Sequence, residues 1–350
     1  MADIPGATSL AGTVHPPVTD VILEGGGVKG IALVGALQPL AEAGYSFARV
    51  AGTSAGAMVG AVLAAMQQRG EPVDRLEDIA RSLDYSRFRD RGGVARWLGH
   101  VPGPFGYLAD AISVIFESGA YEGDYLRDWV RGVLAEFDVH TFGDLLLDDP
   151  AGDGEMHHRY RLVVVTSDVS RKRLVRFPWD YQDYGLDPDE QLVCDAVRAS
   201  ASIPYFFEPV ELRGSRGIST LVDGGLLSNF PIDIFDRADH RTPRWPTIGI
   251  RLDALHLDPA RHVEPVRDPA HLGVALVETA IEAEQAAQAL APCNLARSVQ
   301  VDTTTVSSFD FDLSSADEQT LLAAGRSATE TFLAGWDFDQ WLQECRGVTA

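Results

Sequence analysis

No apolar run in this chain approaches the roughly 18 to 20 residues needed to cross a bilayer. The longest stretches, such as Val59 to Met66 with its glycine, stop far short. Positive charge is also scarce: 29 Lys and Arg stand against 51 Asp and Glu, a formal net charge of -22. A field of that sign repels polyphosphate and provides no counterion release on a nucleic acid, which excludes DNA and RNA as partners. No Lys or Arg precedes Lys29 and the first 20 residues hold no apolar core. The N-terminus therefore lacks both parts of a secretory signal, and the cytoplasm is the expected location. Cysteine is rare. Cys194, Cys293 and Cys345 are widely spaced and odd in number, a pattern that fits neither a disulfide framework nor a metal site and reads as reduced, packed thiols.

The 350 residues suffice for one large or two small domains, and no composition break divides them. Residues 1–17 are rich in Pro, Gly, Ala and Thr and read as a loose tail, leaving 18–350 as a single domain. Val21-Ile22-Leu23 is a β-branched strand flowing into Gly25-Gly26-Gly27, followed by a helix from Ile31 to Ala43 that stops at Gly44. Phe47 to Ala51 reads as a second strand, Gly52 to Gly56 as a tight turn, and Ala57 to Gln68 as a small-residue helix closed by Gly70. Further strands are expected at Leu162 to Thr166, Leu174 to Phe177, Leu221-Val222 and Thr247 to Leu252, with helices at Leu192 to Ser200 and Ala270 to Ala289. Ser315-Ala-Asp-Glu318 matches a capping box, Ser315 at the N-cap and Glu318 three residues on, opening a last helix to about Ala334. This βαβα order predicts an α/β fold, a three-layer sandwich with a mixed, mainly parallel sheet. Residues 81–125 interrupt it as an irregular insertion rich in Gly, Pro, Arg and aromatics, and 270–350 form a helical C-terminal part.

Gly25, Gly27 and Gly30 satisfy G-x-G-x-x-G between a strand and a helix, the spacing of a dinucleotide loop. The second strand, however, ends Arg49-Val50-Ala51-Gly52, without the carboxylate that would hold a ribose, and Gly30 is followed by Ile31 rather than the Lys of a P-loop. Gly52-Thr53-Ser54-Ala55-Gly56 is a G-x-S-x-G elbow between strand and helix, the context in which a strained backbone lifts a serine hydroxyl above the sheet. Ser54 is thus a candidate nucleophile; the alternative is a plain helix N-cap. The glycine loop, on a neighbouring strand end, can then turn backbone N–H groups toward the anion formed when a carbonyl is attacked, and Lys29 would add positive charge there. Asp223-Gly224-Gly225 follows a further strand 169 residues after Ser54. It reads either as a turn or as a general base brought to the serine.

Taken together, Glu24-Gly-Gly-Gly-Val-Lys-Gly30, Gly52-Thr-Ser-Ala-Gly56 and Asp223-Gly-Gly225, in this order, resemble the patatin-like phospholipase family of acyl hydrolases. Ala199 to Pro209 is similar to that family's Ser/Pro block, and Asn229-Phe230-Pro231 to the stretch after its aspartate. The similarity covers about Val18 to Leu252. The chain departs from it at Glu24, where many members carry an apolar or small residue. The resemblance implies an oxyanion loop at Gly25, Gly26, Gly27, Val28, Lys29 and Gly30, a nucleophile at Ser54, and a base at Asp223, forming a dyad without histidine and without metal or cofactor. It also implies the substrate class, a phospholipid or lysophospholipid ester.

A base of ordinary pKa near 3.9 is weak at neutral pH, so the dyad requires Asp223 to be desolvated. Four histidines, His240, His256, His262 and His271, follow Asp223 in the order of a Ser-Asp-His triad and leave a histidine-assisted esterase or thioesterase as an alternative, beside a non-catalytic nucleotide-binding module using the glycine loop. Two basic islands interrupt the acidic background: Arg81, Arg87, Arg89, Arg91 and Arg96 among the aromatics Phe88, Trp97, Phe105, Tyr107 and Phe116, and Arg171, Lys172, Arg173 and Arg176 in a hairpin. Each suits either lipid headgroups and peripheral membrane contact or internal ion pairing. The net charge disfavours anionic bilayers, so an activator, a partner or a local basic face is a further expectation. Asp168 and Asp195 read as structural.

Overall fold

The computed structural model of the chain describes residues 17–84, 87, 123–148, 159–237, 242–252, 266, 269–289, 291–306 and 313–347. Its elements are β1 (Val18–Leu23), α1 (Ile31–Glu42), β2 (Ser46–Thr53), α2 (Ala55–Arg69), α3 (Arg75–Arg81), α4 (Asp124–Ala135), β3 (Leu162–Asp168), β4 (Arg173–Phe177), α5 (Val193–Ser200), β5 (Val210–Gly214), β6 (Gly217–Asp223), β7 (Thr247–Leu252), α6 (Pro269–Ala289), α7 (Pro292–Ala296), β8 (Ser298–Val301) and α8 (Ser315–Gly335). The strands form one mixed sheet in the order β5-β6-β3-β2-β1-β7-β8, with β4 attached to β3. The pairs β3–β2, β2–β1, β1–β7 and β7–β8 are parallel, and the pairs of β3 with β4 and β6, and of β5 with β6, are antiparallel. β1, β3 and β7 are almost wholly buried, which is why they read as continuous apolar runs rather than alternations.

The strand order reverses at β1 and β7: from β1 the chain steps outward through β2 to β3, and from β7 outward the other way to β8. Such a switch point opens a crevice at the carboxyl ends of the strands, and the glycine loop after β1 lies there. β3 makes a second junction. Its residues Val164 to Asp168 pair with β4 along one edge, so β2 and β6 must both use the other edge. β2 occupies that edge up to Thr53, opposite Val165, and β6 begins its pairing at Asp223, opposite Thr166. The carboxyl ends of β2 and β6 therefore meet end to end on consecutive residues of β3.

Helices flank the sheet. α1 packs along α8 and against β7 and β8, α2 lies on β2, and α5 covers β3 and β6 with α4 against it. α4 buries Leu126, Val130, Val133 and Leu134, one apolar stripe at helical spacing. Where α1 and α8 cross, Gly35 and Gly325 let the backbones touch, and Thr329 Oγ1 donates to Ala36 O at 2.9 Å.

Three readings need correction. The elbow is tighter than a five-residue turn: β2 runs to Thr53 and α2 starts at Ala55, leaving Ser54 alone between them. The last helix is capped one residue earlier, by Ser314, whose Oγ accepts from Asp317 N while Asp317 reaches back to Ser314 N. Ser-Ser and Asp-Glu offer two adjacent registers of the same capping box, and sequence alone does not separate them. Finally, Cys293 and Cys345 form a disulfide, their Cα atoms 5.6 Å apart across 52 residues of sequence. The C-terminal turn folds Trp341 onto Arg297, with its Nε1 donating to Cys293 O at 2.9 Å, and that packing brings the cysteines into bonding range. Only Cys194 is the buried free thiol expected. No helix among the described residues is long and apolar enough to cross a membrane.

Candidate active site

Ser54 sits at φ 53°, ψ -120°, a left-handed conformation that costs a non-glycine residue of order 1–3 kcal/mol. The fold holds it there from both sides. Its N–H donates to Ser200 Oγ at 2.9 Å, and Ser200 Oγ donates to Val165 O at 2.5 Å, bridging the gap where β2 gives way to β6. Its carbonyl starts α2 by accepting from Met58 N at 3.1 Å. Glycine is required at position 56 because the elbow packs on β1: a β-carbon there would overlap the Leu23 carbonyl. Ser54 is only 5% exposed.

Asp223 ends β6 and is 3% exposed. Its N–H donates to Ser202 O at 2.8 Å, and its Oδ1 accepts from Gly225 N at 2.7 Å. Oδ2 is buried without a hydrogen-bond partner among the described residues. Desolvation pushes the carboxyl up to about 6, and the neighbouring Ser54 hydroxyl and the Gly225 amide hold it below where burial alone would take it. Ser54 is thus near enough to act on the carboxylate, although no well-formed hydrogen bond joins them in this state.

The glycine loop closes over the pair. A β-carbon on Gly25 would stand 3.2 Å from Ser54 Cβ and would overlap Asn229 Oδ1, so only glycine fits where the loop meets the elbow. Gly25 N donates to Asn229 O at 3.2 Å and Asn229 Nδ2 returns a bond to Gly25 O at 3.1 Å. Gly27 turns to φ +58°, and Lys29 N is used by Gly26 O at 3.2 Å. Glu24, wholly buried, anchors the start of the loop: Oε2 accepts from Leu252 N at 2.5 Å and Oε1 lies 3.8 Å from Arg251 Nε. Leu252 also forms the wall behind Gly26.

The sequence candidates divide accordingly. Gly25 to Gly30, Gly52 to Gly56 and Asp223 to Gly225 converge on one buried centre. Lys29 is 6% exposed and so is not a solvated helix-start lysine. The arginines of the second basic island are internally paired, Arg171 with Asp168, Arg173 with Asp183 and Arg176 with Asp180, and Arg171 stacks on Tyr184, while Lys172 is exposed. Of the first, Arg81 pairs with Glu77 and Glu318 and Arg87 lies over the Tyr125 ring. Arg89, Arg91 and Arg96, with Phe88, Trp97, Phe105, Tyr107 and Phe116, lie outside the described residues. So do His240, His256 and His262 and the side chain of His271. Asp168 is structural, accepting from Tyr184 Oη at 2.8 Å and Arg171 N at 2.9 Å, and Asp195 pairs with Arg127. Among the described residues no cluster of His, Cys, Asp or Glu is placed to hold a metal ion. Reading residue by residue missed Ser200, Ser202 and Asn229; their only signal was membership of the two stretches that resemble the family.

The site thus joins, on a mixed α/β sheet, a serine on a strained strand–helix elbow, a glycine loop and a buried carboxylate. Residues 21–236 match the family described as Patatin-like phospholipase, and the chain belongs to that family. It is similar to the uncharacterized protein YqhO of Bacillus subtilis, 33% identical over 319 residues that cover 91% of this chain and 99% of that protein. Patatin-like protein 1 of Arabidopsis thaliana is 27% identical over 236 residues, 61% of this chain and 50% of its own length. Among solved structures, VipD from Legionella pneumophila aligns at a TM-score of 0.49 and 18% identity, over 90% of this chain and 66% of that one.

Proposed function

We propose that the chain hydrolyses carboxylic ester bonds of phospholipids or lysophospholipids through a Ser54–Asp223 dyad. The observation that carries this reading is the Asp223 carboxyl, buried beside the elbow serine with one oxygen unpartnered and a pKa moved to about 6, where a carboxylate is both ionised at neutral pH and basic enough to accept a proton. Asp223 takes the Ser54 hydroxyl proton as Oγ bonds to the acyl carbon. The carbonyl electron pair moves onto oxygen, and the glycine-loop N–H groups other than those of Gly25 and Lys29, which are committed to the backbone, are the donors assigned to that oxyanion. Collapse breaks the ester bond, and the departing alkoxide of the lysolipid or glycerol backbone takes the proton from Asp223. A water then gives its proton to Asp223 and its oxygen to the acyl carbon, and Ser54 leaves with that proton as the fatty acid departs.

The surroundings favour an aggregated lipid over a small soluble ester. α6 packs on the turn that follows Asp223, and Gly273 of α6 abuts the Tyr205 ring. Tyr205, Leu227, Leu272 and Leu276 are 39, 43, 48 and 61% exposed, an apolar rim that suits peripheral contact with a lipid surface. The test is fatty-acid release from mixed phospholipid and lysophospholipid micelles by the wild type, Ser54→Ala and Asp223→Asn, each checked for folding by its melt. The wild type is expected to release fatty acid and both variants to lose nearly all of it; full activity in Ser54→Ala would reduce the elbow to a turn.

A further inference from the structure

The two halves of the site come from distant parts of the sequence, the glycine loop from the end of β1 and the base from the end of β6. One side chain stands between them. Asn229 grips Gly25 twice, accepting from its N–H at 3.2 Å through the backbone carbonyl and donating to its carbonyl at 3.1 Å through Nδ2. On the other side, its Oδ1 lies 2.9 Å from where a β-carbon on Gly225 would sit, and Asp223 Oδ1 lies 3.1 Å from the same point. The amide of Asn229 and the carboxylate of Asp223 thus share one wall of the site. Glycine at both 25 and 225 is what makes room for the amide, since a β-carbon at Gly25 would overlap it. Asn229 is 5% exposed, so water does not substitute for these contacts at the surface. The turn that carries it is tied back in its turn, Ser228 N to Gly224 O at 2.9 Å and Thr53 Oγ1 to Ser228 O at 3.0 Å.

We propose that Asn229 is the positioning residue that fixes the gap between the glycine loop and the Asp223 turn, and thereby holds the oxyanion donors and the base in register on Ser54. This rests on the dyad reading above. The donors must meet an atom that forms only when Oγ attacks, and a displacement of about 1 Å can cost on the order of 10²-fold in rate. Substrate binding is borne by other surfaces, so the loss should appear in kcat and leave KM nearly unchanged.

The experiment measures kcat, KM and the pH profile on a soluble p-nitrophenyl acyl ester for the wild type, Asn229→Ala, Asn229→Asp and Ser54→Ala, all normalised to folded protein by thermal melt. Asn229→Ala is expected to lose about 10²-fold in kcat with KM within a few-fold. Asn229→Asp keeps the shape, removes the donor to Gly25 O and sets a second carboxylate beside Asp223, so the acidic limb of its kcat profile should move to higher pH. If Asn229→Ala does not fold, the Asp variant decides alone. Wild-type kcat and an unmoved acidic limb per folded enzyme, with only a lower melt, would make Asn229 a purely structural residue and overturn the proposal while Ser54→Ala stays inactive. Activity retained in Ser54→Ala would instead sink the dyad reading, and the role given to Asn229 with it.

Discussion

The carboxyl proposed as base is expected to weaken the fold that holds it. Asp223 titrates near 6 in the native state against an ordinary 3.8, because burial disfavours its charge. Between those values the native protein keeps a proton that the unfolded chain has released, so stability falls as pH rises through this window, and the whole cost is present above pH 6. A rise of about two units corresponds to about 3 kcal/mol. Asp223→Asn keeps an oxygen to accept from Gly225 N and has no charge to desolvate. It should therefore be more stable than the wild type by about 1 kcal/mol at pH 4.5 and about 3 kcal/mol at pH 8. With melting entropy proportional to length, the larger gap is about 4 °C in Tm for 350 residues. Paired thermal melts at the two pH values read the difference directly. Activity runs the other way: the variant is expected to lose 10²- to 10⁴-fold, about the range of a general base, and wild-type activity should fall as pH drops through about 6. A Tm gap that is the same at both pH values, or that favours the wild type at pH 8, would refute the assignment of a desolvated carboxylate.

Replacing Leu272 and Leu276 together by Ser should lower fatty-acid release from micelles several-fold and leave hydrolysis of a soluble short-chain ester unchanged; equal activity on both substrates removes the rim from the lipid contact. Reducing the Cys293–Cys345 bond frees a loop of 52 residues, worth up to about 4 kcal/mol in chain entropy. A melt with and without dithiothreitol should show a clear drop, concentrated in the C-terminal segment by amide exchange.

The motifs are more legible in the sequence than the scaffold that brings them together. Strand ends, glycine spacing and the elbow all lie within a few neighbouring residues, so β1, β2, β7 and α1 could be read to within a few positions and the three motifs placed on them. The glycine loop also shows why a dinucleotide pattern misleads: Gly25 is packed against Ser54 and Asn229 instead of opening toward a pyrophosphate. Contacts made across the sheet left no local trace. Ser200 meets Ser54 over 146 residues and Asn229 meets Gly25 over 204, and each looks like an ordinary polar residue in a loop-rich stretch. β5 and β8 were passed over for another reason. β5 is a half-exposed edge strand of five residues and β8 has four, too short for period-two alternation to stand out. The cysteines were misjudged because counting sees spacing in sequence, whereas a disulfide answers to distance in space.

Since β2 ends against Val165 and β6 against Thr166, the separation of Ser54 and Asp223 is set by one peptide unit of β3. What the stretches joining those strands add is the end of α5, where Ser200 Oγ accepts from Ser54 N and Ser202 O accepts from Asp223 N. Segments that make none of these contacts can be lengthened, shortened or exchanged while that spacing persists, provided β6 keeps its register; a slip of one residue would turn Asp223 to the opposite face. Descendants of such a chain can thus acquire new substrate-facing loops without rebuilding the reaction centre, and a designer can graft them on the same terms.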